Sequence, residues 1–225
     1  FLKTLIYALI KIITMEANKN TIGQVFFALS ILMLIYMLIS PLNQVLSNIS
    51  EFFTLTLINF PISDLLHILG GETNPPLYFL LLKAMSKLTS DFAILKVFSA
   101  IPYAIILILS TLKLRRDYGW LTAGLFAFAL AVMSEFLITY SLLRPYSWAM
   151  LFTLLAFIFF KDIIANADKK SFVLFTVFSI LASYTHYYGL IATIVLYLIL
   201  LFHILTYDKD KIKYWGISLV AAIVL

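Results

Sequence analysis

The chain has no cysteine among its 225 residues. That excludes a disulfide framework and any thiolate metal site. Charge is scarce as well: Asp, Glu, Lys and Arg fill 12% of positions, about half the share in a soluble domain. No segment shows the alternation over about ten residues that marks a transmembrane β-strand. A glycine-rich phosphate loop, an HExxH helix and a Ser-His-Asp signature are all missing. The first 15 residues include Lys3 and Lys11 but no small-residue cleavage site, so they do not read as a cleavable signal.

What fills the sequence is apolar. Hydrophobic residues make up 63% of it, and the mean hydropathy is +1.04. One globular core cannot absorb such an excess, so many of these side chains must face lipid. They fall in continuous Leu, Ile, Phe and Ala blocks, each of about the 20 residues that a helix needs to cross a bilayer. Only helices and closed barrels satisfy their backbone in lipid. The expected fold class is therefore all-α, a polytopic transmembrane helical bundle with about 7–8 spans. The net charge of +5 comes from basic residues in short connections, the positive-inside pattern. No basic stripe or module signature points to nucleic acid as a partner.

Residues 1–225 read as one transmembrane module. Residues 1–20 form an N-terminal segment, with residues 1–15 read as an interfacial helix. The first clear span covers 21–40 and ends at Pro41. Residues 41–75 hold Asn43, Gln44, Asn48, Glu51, Asn59, Asp64, His67 and Glu72, an organised polar loop with short amphipathic pieces at 49–59 and 63–69. Long ordered loops tend to carry function. A short apolar piece at 75–88 carries Lys83 and Lys87 and reads as a tilted or re-entrant helix. Further spans are expected at 93–113, 120–134, 137–160, 172–188, 190–206 and from 216 onward. Because that last run is still apolar at Leu225, a further C-terminal part is expected. The basic connections KLRRD at 113–117, KDIIANADKK at 161–170 and DKDKIK at 208–213 are placed in the cytoplasm. Alternation then puts the 41–75 loop, 135–144 and the 184–189 turn on the outer side.

Three polar clusters thus share one face. Arg144 lies about a third of the way along its expected span. It reads either as a snorkelling interfacial arginine or as a fork clamping phosphate or carboxylate. His186, in an aromatic run, is either part of an interfacial belt or a metal or phosphate ligand or proton carrier. Glu51 is a lone acid on a loop helix, a position more often merely solvated. Asn74-Pro75-Pro76 fits a helix start, where the missing proline N–H costs nothing.

Four motifs carry a resemblance. They are Ser50-Glu51-Phe52-Phe53-Thr54, Asn74-Pro75-Pro76-Leu77-Tyr78, Tyr140-Ser141-Leu142-Leu143-Arg144-Pro145-Tyr146 and Tyr184-Thr185-His186-Tyr187-Tyr188-Gly189. In this order they resemble the membrane glycosyltransferases of the GT-C class, specifically the family 39-like group of protein mannosyltransferases and the lipid A aminoarabinose transferase. The resemblance implies an inverting transferase in the cell membrane with its site facing outward. Its donor would be a polyprenyl-phosphate-linked sugar and its acceptor a glycan, lipid or protein. It implies Glu51 as the acid of the first loop, with Arg144, Tyr146, His186, Tyr187, Asn74 and Glu72 as substrate-binding residues. A divalent metal ion on Glu72 and His186 would fit that scheme. The chain departs from the family at Ser50, where the family has Asp, at Asn74, where it has His, and at Leu142, where an acid is common. Two other classes compete: a transporter or flippase for a lipid-linked substrate, which predicts internal repeats, and a non-catalytic lipid-binding relative.

Overall fold

The computed structural model describes residues 2–39, 49–71, 74–132, 142–166 and 168–224, with side chains from residue 18 onward, Met37 excepted. All regular structure in these residues is helical. In chain order the helices are α1 (Leu2–Ile39), α2 (Ile49–Asn59), α3 (Ile62–Leu69), α4 (Leu77–Ser86), α5 (Phe92–Leu109), α6 (Arg115–Val132), α7 (Tyr146–Asn166), α8 (Lys169–Thr185), α9 (Tyr187–Tyr207) and α10 (Ile212–Val224). Among the described residues four helices are long and apolar enough to cross a membrane, at Asn18–Tyr36, Phe92–Val132, Tyr146–Asn166 and Tyr187–Tyr207.

Several elements depart from their expected bounds. α1 is one 38-residue helix, with no break between the expected N-terminal segment and the span. The 93–113 and 120–134 segments are joined by a π-helical turn, Ser110–Leu114. The true break comes at Gly119, whose φ of 80° and ψ of 176° interrupt α6; only glycine adopts that region without strain. α7 begins at Tyr146 rather than near 137, so Arg144 precedes the helix instead of lying within it. The reason is Pro145, which steers the residue before it away from helical ψ. The helix then starts directly, with the Ala149 N–H donating to the Pro145 carbonyl at 2.9 Å. At its other end α7 runs on to Asn166, absorbing much of the expected charged connection. The short pieces at 49–59, 63–69 and 75–88 correspond closely to α2, α3 and α4. At ten residues, or about 15 Å, α4 is too short to cross a bilayer.

Packing divides into two cores. Leu57, Leu65, Tyr78, Leu82 and Leu95 join α2 to α5, with Leu143 inserted from the bend before α7. Phe160, Phe175, Tyr197, Leu200 and Ile204 join α7, α8 and α9, with α10 laid against them. α1 crosses α6 at Gly23 and Gly124, where a Cβ on either would collide with the other helix's backbone. Small residues let helices in lipid approach this closely and gain dispersion energy.

The bundle has two chemically distinct ends. Lys113 lies 3.4 Å from Asp162, and Lys161 lies 3.8 Å from Asp117. Lys169 sits over the Tyr214 ring at 5.6 Å. These contacts bring the three charged connections to one end. The α7 and α9 N-termini and the first turn of α5 lie at the other.

Candidate functional site

The site is organised around Glu51, in the first turn of α2, where a carboxylate suits the positive end of the helix dipole. One oxygen, Oε1, accepts from the Leu143 N–H at 3.1 Å and lies 3.1 Å from Lys96 Nζ. Both charged side chains are 0% exposed. Lys96 stands one turn into α5, over the Phe92 ring at 4.8 Å. Taking a charge out of water costs on the order of several kcal/mol, and each of the two offsets part of that cost for the other. The pair pins the bend 142–145, and the next residue on that bend is Arg144.

A second layer of bonds ties the helices beneath. The Tyr78 hydroxyl, on α4, is 2.7 Å from Ser99 Oγ on α5. Ser147, in the first turn of α7, donates to the Ser99 carbonyl. Burial pushes the Tyr78 phenol above its ordinary range, and both the Arg144 guanidinium and the Glu51 carboxylate act on it. Lys83 donates to the Ile58 and Phe60 carbonyls at 2.7 and 2.6 Å, closing the C-terminal end of α2 onto α4.

Arg144 leads from this buried layer to the surface. Its guanidinium lies over the Tyr146 ring at 5.9 Å, within cation–π range. Tyr146 in turn packs on His186 at 5.4 Å between centroids, and His186 stacks on Tyr188 at 5.0 Å. Among the described residues no carboxylate pairs with Arg144. His186 is the one residue between α8 and α9, with φ of −159° and ψ of 143°. Its Nδ1 accepts from the Tyr188 N–H at 3.1 Å, which leaves the proton of the neutral ring on Nε2. Burial first, then the Arg144 charge, holds its pKa below the ordinary 6.5. The turn is this tight because Gly189 rests on the Ala182 carbonyl, where no Cβ would fit.

No family model, curated protein or solved structure matches this chain.

Two cavities flank the His186 turn. An open, almost wholly apolar groove of about 670 Å³ runs between α6, α7 and α9, lined by Tyr146, His186 and Tyr188 at one end and by Met150, Leu154 and Phe157 further along α7. On the other side, an open cavity of about 500 Å³ is lined by Leu66, Pro75, Tyr184, Tyr187 and Ile223. Both fall in the size range of small-molecule sites.

The expected site residues are therefore distributed as follows. Arg144, Tyr146 and His186 form one contact chain. Glu51 joins it through Leu143 but is sealed from both cavities' surfaces. Tyr187 is exposed and lines the second cavity. Asn74 is buried just before Pro75. Glu72 lies outside the described residues, as do Tyr140 and Ser141. Among the described residues no three His, Asp or Glu side chains form a metal-binding group, and of the two expected ligands Glu72 lies outside those residues. Lys96 was not among the expected residues. Its signal in the sequence was a lysine inside an apolar span, which is costly in lipid and marks a partner or a function.

Proposed function

We propose that the chain is a glycosyltransferase of the GT-C type, using a polyprenyl-phosphate-linked sugar as donor. In this reading it is a multi-pass protein of the cell membrane with about seven or eight spans and its site facing outward. The observation that carries the reading is Arg144, a guanidinium without a carboxylate partner among the described residues, beside one end of a long apolar groove. The groove suits a lipid tail, and the guanidinium fork suits its phosphate. The second cavity, lined by Tyr184 and Tyr187, is the place for the acceptor.

The chemistry needs little more. An acceptor oxygen attacks the sugar's anomeric carbon and forms the new C–O bond. The bond to the phosphate oxygen breaks, and its electron pair leaves with the lipid phosphate, whose charge Arg144 meets. The acceptor proton passes to a carboxylate, assigned to Glu51. Since that carboxylate is wholly enclosed, the bend 142–145 must shift to admit the acceptor. The same enclosure favours a second reading, a lipid-binding relative without transferase activity.

The test follows sugar transfer from a polyprenyl-phosphate donor in liposomes, with donor binding measured separately. Arg144→Lys keeps the charge but loses the fork, so donor binding should weaken while the fold persists. Glu51→Gln combined with Lys96→Met leaves no lone buried charge. It should bind donor normally and transfer ~10²–10⁴-fold more slowly. Transfer at the parent rate would remove Glu51 as the base. Donor binding by the parent without any transfer would establish the second reading.

A further inference from the structure

We infer that the charged end of the bundle, opposite Arg144, holds a separate site for the headgroup of an anionic phospholipid. The inference does not depend on the transferase reading. A pocket of about 350 Å³ opens there between α5, α6 and α7. Lys113, Arg116 and Lys161 stand on its polar side. Phe126, Leu154 and Phe157 form its apolar side, and the same three residues line the groove that leads toward Tyr146 and His186. A cationic lip above a continuous apolar wall has the shape of a lipid, with a charged head and aliphatic chains. A soluble anion would have no use for the wall.

The cations are held in a way that lets a phosphate compete for them. Lys113 faces Asp162 at 3.4 Å. Arg116 and Lys161 share Asp117, at 3.0 and 3.8 Å. All of these side chains are about a third exposed or more. Such pairs contribute little to stability, so exchanging a carboxylate for a phosphate costs little. Three cations against two carboxylates leave one positive charge unbalanced in the pocket. Arg115 adds to the field from outside it, held over the Trp120 ring at 4.5 Å. Lys113 also lies in the π-helical turn Ser110–Leu114, a distortion that is rare and frequent at functional sites. Basic pockets between membrane helices are known to hold lipid headgroups.

Native mass spectrometry of the full chain, released from detergent, reads the prediction directly. The probes are dioleoylphosphatidylglycerol, dioleoylphosphatidylcholine and inorganic phosphate. The parent should retain phosphatidylglycerol in preference to phosphatidylcholine. Lys113→Gln and Lys161→Gln should each lower that retention about fivefold. Asp162→Asn frees Lys113 and should raise it, a gain that misfolding cannot produce. Lys87→Gln removes an exposed cation just before α5, at the far end, and should leave the preference intact. Equal retention of the two lipids would overturn the assignment, as would an Asp162→Asn variant without a gain, or loss of the preference on Lys87→Gln alone. Displacement of the lipid by inorganic phosphate at equal concentration would show a free-phosphate site and sink the lipid assignment.

Discussion

At one end of the bundle Lys96 and Glu51 are wholly enclosed and 3.1 Å apart. At the other, Lys113 and Asp162 are about a third exposed and 3.4 Å apart. The residue types are similar, but the physics differs. An enclosed pair has no water to fall back on, so each partner is obligatory and the backbone bonded to it is fixed. The exposed pairs can trade partners at small cost. The first arrangement suits a site whose geometry must be held, and the second suits a surface that exchanges ligands.

The comparison breaks most visibly if one member of each pair is removed. Glu51→Gln leaves the Lys96 ammonium buried without its carboxylate and should cost about 3–5 kcal/mol of stability, and Lys96→Met, which takes this cation from Glu51, should also destabilise. The double variant should recover most of that loss, because the remaining groups are neutral. Lys113→Met, by contrast, should melt indistinguishably from the parent. Thermal unfolding in one detergent checks all four proteins. A single Lys96→Met variant as stable as the parent would show that the enclosed pair is not obligatory.

A smaller effect comes from the helix contact that shapes the turn. Gly189→Val drives a branched side chain into the Ala182 carbonyl and should cost about 1–3 kcal/mol. It should also push α9 away from α8 and move His186 off Tyr146, which hydrogen exchange at the Tyr188 amide would register as lost protection. Gly216, inside α10, has open space where a Cβ would go, so Gly216→Ala serves as the control and should stabilise by about 0.5–1 kcal/mol while leaving protection at Tyr188 unchanged.

The segment 49–69 was legible in the sequence to a degree the site was not. Pro61 followed by Ser63-Asp64 signals a helix start, and the apolar spacing of 49–59 and 63–69 gives two short helices. The chain forms both, at α2 and α3. Those signals are local. The position of Arg144 was misread because the apolar run either side of it looks like continuous span, and a single proline outweighs that run. Lys96 was passed over for the opposite reason. Its partner Glu51 is far away in the chain, and nothing near position 96 announces a pairing. The three charged connections share one end, as their basic residues suggested. The groove along α7 had no sequence signal, because it arises from how three helices diverge.

The smallest expected effect concerns His186 and acid. Burial and Arg144 both disfavour its charged form, so its pKa in the folded protein lies below the ordinary 6.5. Below 6.5 the unfolded chain binds this proton more readily than the folded one, and stability should fall as the pH drops through that value toward the folded pKa. Above 6.5 both states are neutral and the contribution is flat. Protonation also has a local consequence. Nδ1 then carries a hydrogen and can no longer accept from the Tyr188 N–H, so the first turn of α9 loses its cap. His186→Asn keeps a side-chain acceptor at the helix start without a group that titrates. It should match the parent near neutral pH and lose less stability than the parent between 6.5 and 5. Proton NMR of the imidazole gives the pKa itself, and a folded value above 6.5 would reverse the sign of the whole effect. Adding Arg144→Gln removes the smaller of the two causes, so the imidazole pKa should rise slightly but stay below 6.5. A full return to 6.5 would show that the arginine, and not burial, governs the ring.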